Sequence, residues 1–185
     1  KLVVDLYPRE QRVRMKGRYA LVNRSGKPID AIHLFFFQAD RMKFDQLDFS
    51  VPATLATNDP KVGLRSYRLG TPLPPDESVE LMFDLDVPTT GFTNTGATTD
   101  VVANGSFVNS QSVLPFVGYW ERGELVTDRD RKKFGLAPKE RMRDRDDPSG
   151  LAENALAPDA DFIDFEATVG TDADQLAIAP GYLQR

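Results

Sequence analysis

A run of nine residues near the middle of the chain constrains its fold more than any other feature. Val79, Leu81, Phe83, Leu85 and Val87 alternate with Glu80, Met82, Asp84 and Asp86, and Pro88 follows. A period of two puts successive side chains on opposite faces of an extended strand, so this segment calls for one buried face and one largely wet face. Pro88 stops the ladder because it has no N–H to donate. Whatever the chain folds into must contain a sheet with one face covered.

The same period recurs on both sides. Val13, Met15, Gly17, Tyr19 and Leu21 alternate with Arg12, Arg14, Lys16 and Arg18, and the polar run 23–28 leads into an apolar stretch, Ile29 to Phe37. This spacing predicts a hairpin. Further strands are expected at Leu2–Tyr7, Gln46–Val51 and Val62–Leu69, with a turn forced by the prolines between Thr71 and Asp76. Ile163, Phe165, Ala167 and Val169 alternate with Asp164, Glu166 and Thr168, and Gln175–Ala179 follows a polar turn, which predicts a second hairpin. The fold class expected is all-β, an antiparallel β-sandwich, and 185 residues fit one such domain spanning 1–185. Because Lys1 already stands at the head of a strand, the chain reads as a piece excised from a larger protein.

Two stretches break the pattern. Thr89 to Gly105, rich in Thr, Gly and Asn, is expected to be a long surface loop. The charge-dense insertion 121–157 is expected to hold one or two short helices. In the first, Thr127 caps the N-terminus, Asp128 and Asp130 favour its positive end, Lys132 and Lys133 its negative end, and Gly135 closes it. A second is expected from Ser149 through Leu156.

Several chemistries are excluded or disfavoured by residue type. The chain has no Cys and one His, so it holds neither a thiolate zinc site, nor a Cys nucleophile, nor a His pair on a helix. A net charge of -5 argues against capture of nucleic acid, which requires clustered basic surface. The Asp groups at 144–147, 159–164 and 172–174 lack the closing Glu of an EF-type calcium loop and read as solvated turns and caps. Many carboxylates also make accidental pairs, so glycosidase chemistry draws no support. His33, set among Leu34, Phe35, Phe36 and Phe37, is expected to be half-buried and structural. Arg9, Arg12, Arg14, Lys16 and Arg18 form a basic stripe whose expected partners are Glu80, Asp84 and Asp86 on a neighbouring strand. Asn23–Ser25 and Asn104–Ser106 match the Asn-x-Ser glycosylation pattern, which has meaning only in a eukaryotic secretory host.

Five segments taken together carry a resemblance: residues 17–23 with 25–30, Asn104-Gly-Ser-Phe107, Leu114-Pro-Phe-Val-Gly-Tyr119, Asp161-Phe-Ile-Asp-Phe-Glu-Ala-Thr168 and Ala179-Pro-Gly-Tyr-Leu183. In these the chain resembles the aminopeptidase-N-like gluzincins, specifically the branch in bacterial membrane proteins that fuse an ABC-transporter-permease-like region to an aminopeptidase-like region. The resemblance implies a saddle-like, non-catalytic N-terminal β domain that packs against a downstream peptidase-like domain of the same chain and walls its peptide cleft. It implies that the His-Glu-x-x-His helix and the zinc belong to that downstream domain, with no cofactor and no catalytic residue in this fragment. It further implies cleft candidates at Asn104, Gly105, Ser106, Tyr119 and Trp120, and an inner-membrane tether through other segments with this domain extracytoplasmic. In many relatives a Gln or Glu about nine residues before the Leu-Pro segment reads the substrate's amine; here that count lands near Ser106. The longest apolar run here, Ile32–Phe37, is far shorter than the roughly 20 residues a membrane span needs.

The residues alone leave a second reading open, a free-standing β-sandwich ligand-binding or adhesion module. Such a module would use Phe92, Tyr119 and Trp120 as an exposed aromatic patch.

Overall fold

The structure, a computed structural model, describes residues 1–89, 99–118, 123–139, 143–148 and 163–184. It divides into two compact units, one formed by Lys1–Tyr119 with Phe165–Arg185 and the other by Trp120–Asp164.

The first unit is all-β. Its strands are β1 (Leu2–Tyr7), β2 (Arg12–Val22), β3 (Ile29–Phe35), β4 (Lys43–Phe49), β5 (Ala53–Asp59), β6 (Leu64–Leu73), β7 (Ser78–Pro88), β8 (Phe116–Val117) and β9 (Ala167–Gly170), with a one-turn helix α1 (Ser110–Val113). One sheet has the order β4-β7-β2-β1-β9 and the other β5-β6-β3-β8. Every pairing is antiparallel except β1 with β9, which run parallel.

The alternation of β7 does what its period requires: Val79, Leu81, Phe83, Leu85 and Val87 are all at most 1% exposed. Burial of each such side chain contributes about 1.5–3 kcal/mol. Val13 and Met15 of β2 join them from the same sheet, while Ile32, Leu34, Tyr67 and Leu69 enter from the other, so one apolar core lies between two sheets in a sandwich-like arrangement. Ring contacts cross the core. Phe49 of β4 lies 5.1 Å from Tyr67 of β6, and the Arg65 guanidinium of β6 sits 3.5 Å from the centre of the Phe44 ring of β4.

Three expectations require correction. The outer face of β7 is drier than alternation predicts, because Asp84 and Asp86 are each only 8% exposed beneath arginine side chains. The predicted hairpin of β2 with the 29–37 segment does not form; β2 pairs with β1 and β7, whereas β3 pairs with β6 and β8 in the opposite sheet. The intervening turn is instead a crossing between sheets. Asn23, 3% exposed, donates from Nδ2 to the carbonyls of Lys27 and Leu73, and its Oδ1 accepts from the amide and hydroxyl of Ser25. That buried side chain ties the exit of β2 to the end of β6, and it is not displayed as a glycosylation acceptor would need to be.

The C-terminal hairpin is also absent. β9 covers only Ala167–Gly170, and Leu176 and Ile178 are 89% and 91% exposed without a strand partner. Finally, β5 and the extension of β6 to Leu73 carry too weak an alternation to be read in advance; β5 has the sequence Ala-Thr-Leu-Ala-Thr-Asn-Asp and is exposed through its middle.

In the second unit, α2 (Asp128–Lys133) has the cap its sequence predicts. Thr127 accepts from the amide of Asp130, three arginine or lysine residues occupy the last turn, and Gly135 takes φ 71°. The helix expected from Ser149 falls outside the described residues, as does most of the loop expected between Thr89 and Gly105.

Candidate functional site

Three of the cleft candidates, Asn104, Gly105 and Ser106, lie on the segment that leads from β7 to β8. Val101, fully buried, roots this segment in the core, and the Thr89 hydroxyl donates to the carbonyl of Gln11 at 2.8 Å beside it. From there residues 102–106 turn back on themselves. The Gly105 amide donates to the Val102 carbonyl at 3.2 Å, while the Ser106 hydroxyl both accepts from the Val102 amide and donates to the Val102 carbonyl, each at 3.2 Å. Asn104 and Gly105 are exposed at the tip of this turn, whereas the hydroxyl of Ser106 is committed to holding it shut.

The chain then re-enters the core. The Asn109 side chain accepts from the Gln111 amide to cap α1, Val113 is 4% exposed, and Phe116 and Val117 pair with Phe35 and Leu34 of β3. Gly118 donates to the His33 carbonyl at 2.9 Å. Asn104, Gly105 and Ser106 thus stand together on one turn, and the chain beyond it goes on to β8 at the edge of the β3 sheet. Tyr119, Trp120 and Phe92 lie outside the described residues. Phe107, the last residue of the Asn-Gly-Ser-Phe segment and not among the cleft candidates, is 80% exposed directly after the turn. Its neighbour Val108 packs on the core, so a strand-like in-out step at 107–108 was the available signal.

His33 is exposed rather than half-buried, and its Nδ1 lies 2.8 Å from the Ser66 hydroxyl on β6. A serine nucleophile needs the opposite arrangement, in which Nε2 serves the hydroxyl and a carboxylate orients Nδ1. Among the described residues no carboxylate hydrogen-bonds this imidazole. The Ser66 contact braces two neighbouring strands.

The charged ladder on the outer face of the first sheet is self-contained. Arg14 grips Asp84 with two hydrogen bonds, Nε to Oδ1 at 2.9 Å and Nη2 to Oδ2 at 3.0 Å, and also reaches Asp45 at 3.2 Å. These hydrogen bonds hold the Asp84 carboxyl below its ordinary range, against the opposing effect of burial. Arg12 pairs with Asp86 and Glu10, Arg18 with Glu80, and Lys16 stands 3.9 Å from Asp84. Arg9 does not join the ladder; it pairs with Asp172 and Asp174 near the C-terminal end. An open groove of about 390 Å³ runs over this face, lined by Val3, Lys16, Arg18, Gln46 and Met82 among others. Arg18 there is paired with Glu80, and Lys16 shares Asp84 with Arg14.

Among the described residues no group of three or more His, Asp or Glu side chains is placed to hold a metal ion, and no helix is long and apolar enough to cross a membrane. No protein-family model matches the chain, and no curated protein matches it either.

Proposed function

We propose that this chain is the non-catalytic N-terminal β domain of a membrane-tethered, zinc-aminopeptidase-like protein. In this reading it packs against a downstream catalytic-type domain and walls one side of that domain's peptide cleft. The observation that carries the proposal is the course of residues 104–118. Two of the five segments that carry the resemblance, Asn104–Phe107 and the Leu-Pro run from Leu114, lie on one continuous stretch that is pinned by Val101 and Val113 and leads to β8 at a sheet edge. That edge is closed by the two residues of β8, and Phe107, on the same stretch of chain, is 80% exposed. Such a surface suits coverage by a neighbouring domain.

The division of labour follows. Zinc, its ligands and the general base belong to the downstream domain, the membrane is reached through other segments, and this domain is extracytoplasmic. The chain's own contribution is a rigid wall, because the turn at 102–106 is closed by its own hydrogen bonds.

Hydrogen exchange on the 185-residue chain, and on a longer version continued past Arg185 to include the next domain, tests the reading. Protection is expected to rise across 104–118 in the longer protein, which should also bind zinc that the shorter chain does not. If zinc is bound tightly by the 185-residue chain itself, or if protection rises nowhere in 104–118, the reading fails and the free-standing module takes its place.

A further inference from the structure

Sheet edges are open templates for other strands, and folded proteins blunt them with charge, shortness or cover. Three of the four edges here are blunted. β4 carries Lys43, Asp45 and Asp48; β8 has two residues and β9 four. The fourth, β5, is seven residues long, its first charged residue is Asp59 at the far end, and Thr54–Asn58 are exposed. Leu55 is 44% exposed on it.

We propose that β5 is a self-association edge, at which this chain pairs antiparallel with β5 of a second copy. Charge selects this occupant and this orientation. Arg68 on β6 lies opposite Thr54, is exposed, and has no ion-pair partner among the described residues. Asp59 lies at the other end of the strand, its carboxylate accepting from the Lys61 amide and, among the described residues, forming no ion pair. An antiparallel two-fold pairing brings the Asp59 end of each copy against the Arg68-flanked end of the other, and does so twice. A parallel pairing would place Asp59 beside Asp59. The uncharged stretch Ala53–Asn58 between these ends sets no like charges against each other. The β5–β6 register shifts between Leu55 and Thr57, a bulge at Ala56 that itself partly blunts the edge and leaves two regular stretches, Ala53–Leu55 and Thr57–Asp59, for pairing. This inference does not depend on the domain's proposed role in a peptidase-like protein.

Sedimentation of the 185-residue chain over a micromolar to millimolar concentration series is the test. The weight-average mass is expected to climb toward that of a dimer, and Ala56→Lys to weaken the association about tenfold or more while circular dichroism and the melting transition stay unchanged. Arg68→Glu and Asp59→Lys should each weaken it, and the double reversal should restore it, which decides the matter even if Ala56→Lys fails to fold. A chain that stays monomeric throughout, a dimer indifferent to Ala56→Lys, or charge reversals with no mutual rescue overturns the proposal.

Discussion

The ring of Phe83 occupies the space a side chain would take at Gly17. The two residues face each other across β2 and β7, and a Cβ built on Gly17 would stand 2.5 Å from Phe83 Cζ. Tyr19, two residues on, meets the same ring edge-on at 5.0 Å. The glycine is thus a packing choice: it lets the bulkiest residue of the central strand lie flat against its neighbour.

Gly17→Ala is therefore expected to destabilise the first unit by about 1–3 kcal/mol through overpacking. Phe83→Ala should cost about 3–5 kcal/mol through the cavity it leaves. Because both changes act on one space, the double variant should cost clearly less than the sum of the two. Urea melts of the three variants measure it; strict additivity would mean that the ring does not depend on the glycine.

Asp84 sits on the nominally wet face of β7, yet its replacement should register. Asp84→Asn is expected to cost about 1–2 kcal/mol at neutral pH, since Arg14 loses a two-pronged carboxylate partner. The carboxyl's folded pKa lies below its unfolded value, so its stabilisation is present above about pH 4 and disappears as the pH falls through the folded pKa. Urea midpoints of wild type and variant should accordingly converge on acidification. A gap that stays constant from neutral to acid pH would remove the titrating pair from the account.

Asn23→Ala should be among the most costly polar changes in the chain, about 2–3 kcal/mol. It removes four hydrogen bonds at a buried corner and leaves the Leu73 carbonyl without that donor. Thermal melts give the size. Asn23→Asp should not rescue it, because a carboxylate cannot donate to the two carbonyls.

Gly63→Ala is expected to destabilise by roughly 2–4 kcal/mol. The residue takes φ 73°, and an added Cβ would collide with the carbonyl of Phe36, whose amide donates to Gly63 at 2.9 Å. Gly26→Ala makes a useful comparison, since that glycine has a similar φ of 70° but open space around it. It should cost only the backbone strain, about 1 kcal/mol.

How far the sequence could be read depended on how much of each signal was local. The strand of β7 and the cap at Thr127 are written within a few neighbouring residues, and both appear as expected. The partner of a strand is not written that way. A polar turn at 23–28 is compatible with a hairpin or with a crossing to another sheet, and the choice is made by the Leu73 carbonyl, fifty positions away. Leu176 and Ile178 show the converse, since alternation without an adjacent edge yields no strand. β5 was illegible because an exposed edge has no buried face to generate contrast. Asn104–Ser106 were named as cleft candidates only through motif resemblance; that the Ser106 hydroxyl is spent on Val102 could be seen only in three dimensions.

The parallel pairing of β1 with β9 sets a condition on how the chain is made. Leu2 lies beside Ala167 and Asp5 beside Gly170, so β1 leaves the ribosome some 165 residues ahead of the strand that pairs with it in parallel. At bacterial-to-eukaryotic synthesis rates that interval is roughly ten to thirty seconds. During it one side of β1 stands unpaired in a nascent chain, long enough for a holding chaperone to act and long enough for neighbouring nascent chains on a polysome to meet.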